Sequence, residues 1–507
     1  MSRRTGGPIR LLDESRRILS SDECDAIAKR VRSFARGGGT SLVRISSWWN
    51  GEMRWARNRV SLAGDRRESM VTISRRLSGG SAQVTTNQLD DASFEAAMRT
   101  VERAARYGRR VRPDATLDAA PNADAANADA ENAKAQTDEE VNDATEANAA
   151  LVPPKFEYPK TAIWSEATHG LPVAERAGVA RALVEPAEAA GMLSAGYLEV
   201  RASATALLRE GSEAVYGSCT QAQCSTTVRD PKGTGSGWAG LSSYDWAAID
   251  GSALGERALQ KCLASRNPVA LEPGRYTVIL EAQAVADLVG VMSGRSTAED
   301  GRGPYALAFN QALGLWRSKL GLKVVDERIT ISHDPSDPAL GVVPFVYSTG
   351  EPYRAVTWID RGVLTNLVTD RHYALVKLND NLGYPLSGAF RVSGGDTSVD
   401  EMIATTKRGL LVTRFSNVRQ LDGRSLLSTG LTRDGLWLIE NGKISKAVKN
   451  FRFTESPLFV LNSIEQLGVP VPVFNPVRSL GFAALEPRIV PPLKARDFSF
   501  TSMIDAV

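Results

Sequence analysis

Gly409-Leu-Leu-Val-Thr-Arg-Phe415, then Gly430-Leu-Thr-Arg-Asp-Gly435, Leu436-Trp-Leu-Ile-Glu440 and Asn441-Gly-Lys-Ile444, running on to Asn450, is the stretch whose reading decides the fold. Its bulky and β-branched apolar residues are cut by Asp434-Gly435 and Asn441-Gly442. Such pairs tolerate the positive φ that primed turns demand. The stretch therefore predicts strands joined by tight turns, and the C-terminal half predicts a sheet domain.

Upstream of it, the apolar runs predict a strand at Tyr276 to Leu280 followed by a helix at Ala282 to Met292. A charged loop, Arg295 to Gly303, and a helical patch, Tyr305 to Lys319, come next. Further strands are expected at Lys323 to Ser332, Phe345 to Tyr347, Ala355 to Asp360 and Val363 to Thr369. At the other end, Ala26, Ile27, Val31 and Phe34 recur at helical spacing within Asp13 to Phe34, with Ser20 or Ser21 placed to cap or break the helix. Strands follow at Ser41 to Ser47, Met53 to Leu62, Ser69 to Leu77 and Ala82 to Thr86, then a helix at Asp91 to Tyr107. A middle unit reads as a helix at Val173 to Ala190, strands at Gly196 to Arg209 and Ala214 to Arg229, and a helix at Ser252 to Ala264. Between the last two lies Gly233 to Gly240, a GxGxxG match at Gly235, Gly237 and Gly240. A dinucleotide fingerprint needs a helix opening straight after it, but Leu-Ser-Ser-Tyr-Asp-Trp follows, so the glycines read as a hairpin.

The chain has 507 residues, more than one core usually supports, with 43% apolar and 23% charged residues, the composition of a soluble globular protein. The expected class is α+β, with N-terminal domains of helices packed on antiparallel sheet and a C-terminal β-rich domain, barrel- or sandwich-like. Four segments are drawn: a basic α+β domain at 1–112, an acidic Ala/Asn-rich disordered insert at 113–160, a middle α+β domain at 161–270 and the β-rich domain at 271–507. The insert assignment rests on Asp114 to Ala150, where ten acids face only Lys134 and no aromatic residue occurs. No uncharged apolar run reaches the ~18 residues needed to span a bilayer, and no apolar region follows the Arg-rich start, so a cytoplasmic protein without membrane contact is expected. Cys24, Cys219, Cys224 and Cys262 are too few and too irregular for a disulfide framework and read as reduced structural thiols.

The sequences GLLVTRF, GLTRDG and IENGKI resemble the C-terminal domain of the TldD/PmbA family of metalloprotease-related proteins. Pro273 to Leu280 (PGRYTVIL) and Ile359 to Leu364 (IDRGVL) carry the resemblance further, and the helix, meander, helix order around ARNRVSLAG and SMVTISRR resembles the family's N-terminal domain. The resemblance implies a cytosolic protein that handles peptides. Members of the TldD type carry HExxxH on the helix after the first C-terminal strand, plus a later Cys, as zinc ligands. Here Glu281 to Gly294 contains no histidine, the chain has only His169, His333 and His372, and no cysteine lies beyond Cys262. Glu281, Asp287, Glu299 and Asp300, the carboxylates near that helix, read as capping or solvent-facing acids rather than ligands of a hard cation.

This pattern resembles the TldE/PmbA branch, which lacks the ligands and pairs with a zinc-bearing TldD-like subunit. The implied expectations are no cofactor and no catalytic or metal-binding residue in this chain, zinc in a TldD-like catalytic partner within a heterodimer, and an extended or unfolded peptide as substrate. Residues expected to touch that peptide are Arg414, Asn417, Asn441 and Asn450, Arg414 as a bidentate carboxylate clamp. An alternative is a self-sufficient peptidase of unknown mechanism; neither a GxSxG elbow nor a P-loop is present. His372 beside Asp370 reads as a structural histidine, and His333 as part of a turn with Asp334 and Pro335.

From Met1 to Arg112 there are 23 Arg and Lys against 12 Asp and Glu, a net +11 hidden within a whole-chain +3. Arg54, Arg57, Arg59, Arg66, Arg67, Arg75 and Arg76 crowd the strands near Trp48, Trp49 and Trp55. Arginines and aromatics on a sheet suit a nucleic-acid platform, which makes a nucleic-acid-binding or scaffold protein the second function class. The ordinary reading is the solvated face of a half-buried sheet.

Overall fold

The computed structural model describes residues 17–504 apart from 78–79, 108–155, 162, 294–318, 348, 370, 372–373, 375–379, 381, 386, 423–424 and 477–485. Nearly all of the acidic insert, the loop Arg295 to Gly303, the patch from Tyr305, His372, Glu299 and Asp300 lie outside the described residues.

The chain opens with α1 (Ser21–Ser33), for which Ser20 accepts from the Glu23 amide while Glu23 caps back, a full capping box. A hairpin of β1 (Thr40–Ala56) and β2 (Arg59–Leu77) follows, then β3 (Gly80–Thr86) and α2 (Asp91–Tyr107). The sequence predicted one strand through Met53 to Leu62, but the chain reverses inside it: Arg57 and Asn58 take φ of 51° and 64°, the geometry of a primed turn. Asn58 holds the reversal in place, its Nδ2 donating to Met192 O at 2.9 Å and its Oδ1 accepting from Ser194 N at 2.6 Å.

After α3 (Glu166–His169) and α4 (Val173–Ala189) come β4 (Leu193–Arg209), β5 (Val215–Arg229), β6 (Ser236–Ser243) and α5 (Gly251–Ala264). β4 pairs antiparallel with β1 from Leu42↔Arg209 to Trp55↔Gly196. One six-stranded sheet, β3-β2-β1-β4-β5-β6, thus spans the segments drawn as separate domains at 1–112 and 161–270. The boundary between them is one of sequence, because the insert interrupts a single sheet between α2 and β4. Trp49, Met53, Trp55, Leu198 and Cys224 meet Leu183 and Leu259 of α4 and α5. Val43, Ile45, Val71 and Ile73 meet Ile27, Phe94 and Met98 of α1 and α2. Gly237 of the GxGxxG match lets β6 touch α5: a Cβ there would lie 2.1 Å from Ala258 O. All four cysteines are buried and unbridged.

Beyond β7 (Gly274–Leu280), α6 (Ala282–Val289), β8 (Ile331–His333), β9 (Val356–Asp360), β10 (Val363–Leu364) and β11 (Phe390–Val392), α7 (Val399–Ala404) leads into the long strands. These are β12 (Arg408–Asp422) and β13 (Leu427–Glu440), then β14 (Lys443–Ala447), β15 (Phe451–Glu455), α8 (Pro457–Asn462), β16 (Ile464–Leu467), β17 (Val471–Pro472), β18 (Arg488–Val490) and β19 (Leu493–Met503). β12, β7, β19, β15 and β13 pair in that order and β13 pairs back with β12, closing a five-stranded barrel. Phe415, Phe453, Phe498 and Phe500 fill it, with Phe415 and Phe498 stacked at 5.6 Å. A second sheet, β10-β9-β8-β11-β18-β17, packs beside the barrel, and the strand expected from Lys323 narrows to β8 because Asp326 and Arg328 form turns and caps there. The α+β class holds, and the C-terminal β-rich domain is a barrel.

One dipeptide departs from its sequence reading in a way that shapes the site. Asn441-Gly442 makes the tight turn between β13 and β14, with φ of 49° and 77°. Asp434-Gly435 does not turn the chain. It sits inside continuous β13 with φ of 56° and 133°, at a register shift between Val412 and Arg414 of β12. This is a β-bulge, a device that re-aims a side chain.

Candidate functional site

α6, following the first C-terminal strand, is the helix on which the resemblance places zinc ligands. Its polar side chains are Gln283 and Asp287, with Glu281 at the N-cap. Glu281 is held by Lys261 of α5, Nζ to Oε2 at 2.5 Å. Gln283 clamps one backbone position, its Nε2 donating to Phe474 O at 3.1 Å and its Oε1 accepting from Phe474 N at 3.0 Å. Asp287 accepts from Gln283 Nε2 at 2.9 Å and from Phe415 N of β12 at 2.9 Å. The donors do not fit zinc: one carboxylate on the helix, its oxygens already taken by an amide and a backbone N–H. Among the described residues, no three His, Cys, Asp or Glu side chains converge into a metal-binding group. His333 is buried, with Nδ1 3.0 Å from Ala389 O, and His169 lies between Trp49 and Trp164.

Burial pushes the Asp287 carboxyl up to about 6, opposed by its bonds to Gln283 and Phe415 and by the charges of Arg414 and Arg488. The native carboxyl therefore keeps its proton at pH values where the unfolded one has lost it. Stability from this group is full below about pH 4 and is lost as pH rises through about 6, on the order of 3 kcal/mol in all. The stability advantage of the native protein over Asp287→Asn should shrink by that amount between pH 4 and 7, read from urea midpoints. A difference that stays flat with pH would contradict this.

The bulge aims Asp434 at the seam between barrel and N-terminal sheet, where its side chain is buried. Arg414 of β12 donates to its Oδ2 from Nε at 2.9 Å, with Nη2 2.7 Å away, and Ser236 of β6 donates to Oδ1 at 2.5 Å. The Arg414 guanidinium lies 4.5 Å over the Trp238 ring, which meets Phe474 edge-on at 5.6 Å. One carboxylate thus joins a barrel arginine to a strand of the other half, beneath an aromatic lid. Alongside lies a cavity of about 310 Å³ lined by Ser236, Asn267, Asp434, Leu436, Lys449 and Asn450, among others.

Of the four residues expected to touch peptide, Arg414 pairs with Asp434 and Asn450 lines the cavity beside it. Asn450 also accepts from Thr432 Oγ1 at 3.0 Å. The Arg414 fork is engaged by Asp434, so it holds an internal carboxylate where a peptide terminus was expected. Asn417 is exposed on a bulged part of β12 with φ 52°, and Asn441 sits in the turn at the far end of β13. Sequence reasoning missed Asp434, Ser236, Trp238 and Gln283. The one signal for Asp434 was its place before a glycine, which was spent on predicting a turn.

The family model described as the PmbA/TldA metallopeptidase C-terminal domain matches residues 273–502. The C-terminal domain belongs to the PmbA/TldD family. No curated protein matches the chain. Among solved structures, it is similar to a protein described as a modulator of DNA gyrase from Bacteroides thetaiotaomicron, at 18% identity and a TM-score of 0.73, over 95% of this chain and 100% of that one. A protein of the same description from Thermotoga maritima gives 14% identity and a TM-score of 0.70, over 94% and 100% of the two chains. TldE from Thermococcus kodakarensis gives 14% and 0.70, over 94% and 99%. At these identities the likeness is one of fold, and it runs over nearly the whole chain. Among the described residues, no helix is long and apolar enough to cross a membrane.

Proposed function

We propose that this chain is the non-zinc, TldE/PmbA-like subunit of a cytoplasmic heteromeric metallopeptidase, walling the peptide chamber of a TldD-like partner that carries zinc. The observation that carries the reading is α6: where a TldD-type helix would present histidines, Asp287 and Gln283 tie the helix to β12 and to the Phe474 backbone. A scaffold helix used in this way holds shape and leaves the chemistry to a partner. The cavity beside Asp434 supplies polar groups, the Asn450 amide among them, for an extended peptide whose main chain is gripped by strand addition. Arg414, through Asp434, fixes that wall.

Zinc content and peptide hydrolysis should be measured on the purified chain alone and on the chain co-purified with a TldD-like partner. The expected outcome is no bound zinc and no cleavage for the lone chain, and both in the pair. Stoichiometric zinc with hydrolysis by the lone chain would overturn the reading.

A further inference from the structure

The outer edge of the N-terminal sheet is open along much of β2, a feature independent of the peptidase reading. β3 covers β2 only from Val71 to Leu77, so β2 from Arg59 to Met70 pairs with β1 on one side and with no described strand on the other. All nine residues from Arg59 to Arg67 are exposed, Val60 by 55% and Leu62 by 43%. At about 3.3 Å per residue this is roughly 40 Å of open edge, with the N–H and C=O of every second residue directed outward. Proteins ordinarily shorten or cover such edges because they template pairing with another chain. Here the edge is long and preformed, its tip pinned by Asn58 to Met192 and Ser194. A strand docking on it therefore loses little to ordering of the receptor.

The charge on this hairpin selects the occupant. Its acids are each already engaged: Glu52 by Arg54 at 3.5 Å, Asp65 by Arg176 at 2.5 Å and Glu68 by Arg66 at 2.5 Å. Arg57 and Arg59 have no carboxylate partner among the described residues. We propose that the β2 edge receives an extended, acidic strand from a second polypeptide, adding a seventh strand to the sheet with its carboxylates on Arg57 and Arg59. A second copy of this chain fits poorly, since it would set arginines against arginines. The chain's own acidic segment is dominated by Ala, Asn, Asp and Glu, all depleted in strands.

The test uses the full chain and a fluorescein-labelled peptide about twelve residues long, matching the edge, with alternating Glu and Thr or Val. Binding is followed by anisotropy and the site by amide hydrogen exchange. The expected result is salt-sensitive binding that slows exchange across 59–70, is weakened about tenfold or more in Arg57→Glu/Arg59→Glu, and is lost when prolines interrupt the peptide at unchanged charge. Both substituted positions are exposed, and circular dichroism checks that the variant folds. Absence of binding would mean the arginines merely blunt the edge and would overturn the proposal. Equal binding of the proline peptide, or the same protection from an oligonucleotide of equal charge, would reassign the surface to polyanions and overturn it as well. Binding about tenfold tighter after deletion of 114–150 would make the chain's own segment the occupant, again overturning it.

Discussion

Asp434→Ala is expected to destabilise the joint between barrel and N-terminal sheet by about 3–5 kcal/mol, the usual loss when one partner of a buried ion pair is removed. Asp434 is 1% exposed and serves two elements at once, Arg414 from β12 and Ser236 from β6. Without it the Arg414 charge, 22% exposed and set over Trp238, has no carboxylate at 2.7 Å, and the Ser236 hydroxyl loses its acceptor. Asp434→Asn keeps the acceptor for Ser236 and should lose less. Combining Asp434→Ala with Arg414→Met should recover much of the loss, because the double variant removes the stranded charge. Urea midpoints give the magnitudes, and Trp238, directly under the guanidinium, adds a local fluorescence signal. A loss below about 1 kcal/mol for Asp434→Ala would mean the joint is held by apolar contact alone.

The same network shows how far the sequence could be read. Asn441-Gly442 and Asp434-Gly435 are chemically alike, and only one of them reverses the chain. What separates them is the partner: β13 stays paired with β12 on both sides of Asp434, whereas after Asn441 it pairs with β14. Pairing is a tertiary fact, invisible in a dipeptide. The Arg57-Asn58 reversal was hidden for the opposite reason, since neither residue is glycine and strand-like alternation continues on both flanks. α6 was legible from its apolar spacing, but the use of Asp287 was not, because its acceptor duty depends on Phe415, which lies 128 residues away. Of the barrel strands, β15 and β19 were not anticipated, and only β7, the start of β12 and the end of β13 were legible from composition. Their closure, set by β12 pairing with both β7 and β13, was not.

The other large effect is expected at Asp65, and it separates charge from packing. Arg176 of α4 is fully buried against the sheet, its Nη2 2.5 Å from Asp65 of β2 and its guanidinium 5.8 Å from the Trp49 ring. Room for it exists because residue 51 is glycine: a Cβ there would lie 2.0 Å from Arg176 Nη1. Asp65→Ala should therefore cost about 3–5 kcal/mol, because it leaves a guanidinium inside the protein without its counter-charge. Arg176→Met removes the charge together with the need for a partner and should cost far less, the loss of the Trp49 contact being worth only about 0.5–1 kcal/mol. If Asp65 acted only through shape, the order would be reversed, since Arg176 is by far the larger side chain and the more deeply buried. Urea denaturation of the two single variants, followed by tryptophan fluorescence, decides between these orders, and an Arg176→Met loss larger than that of Asp65→Ala would reject the electrostatic account.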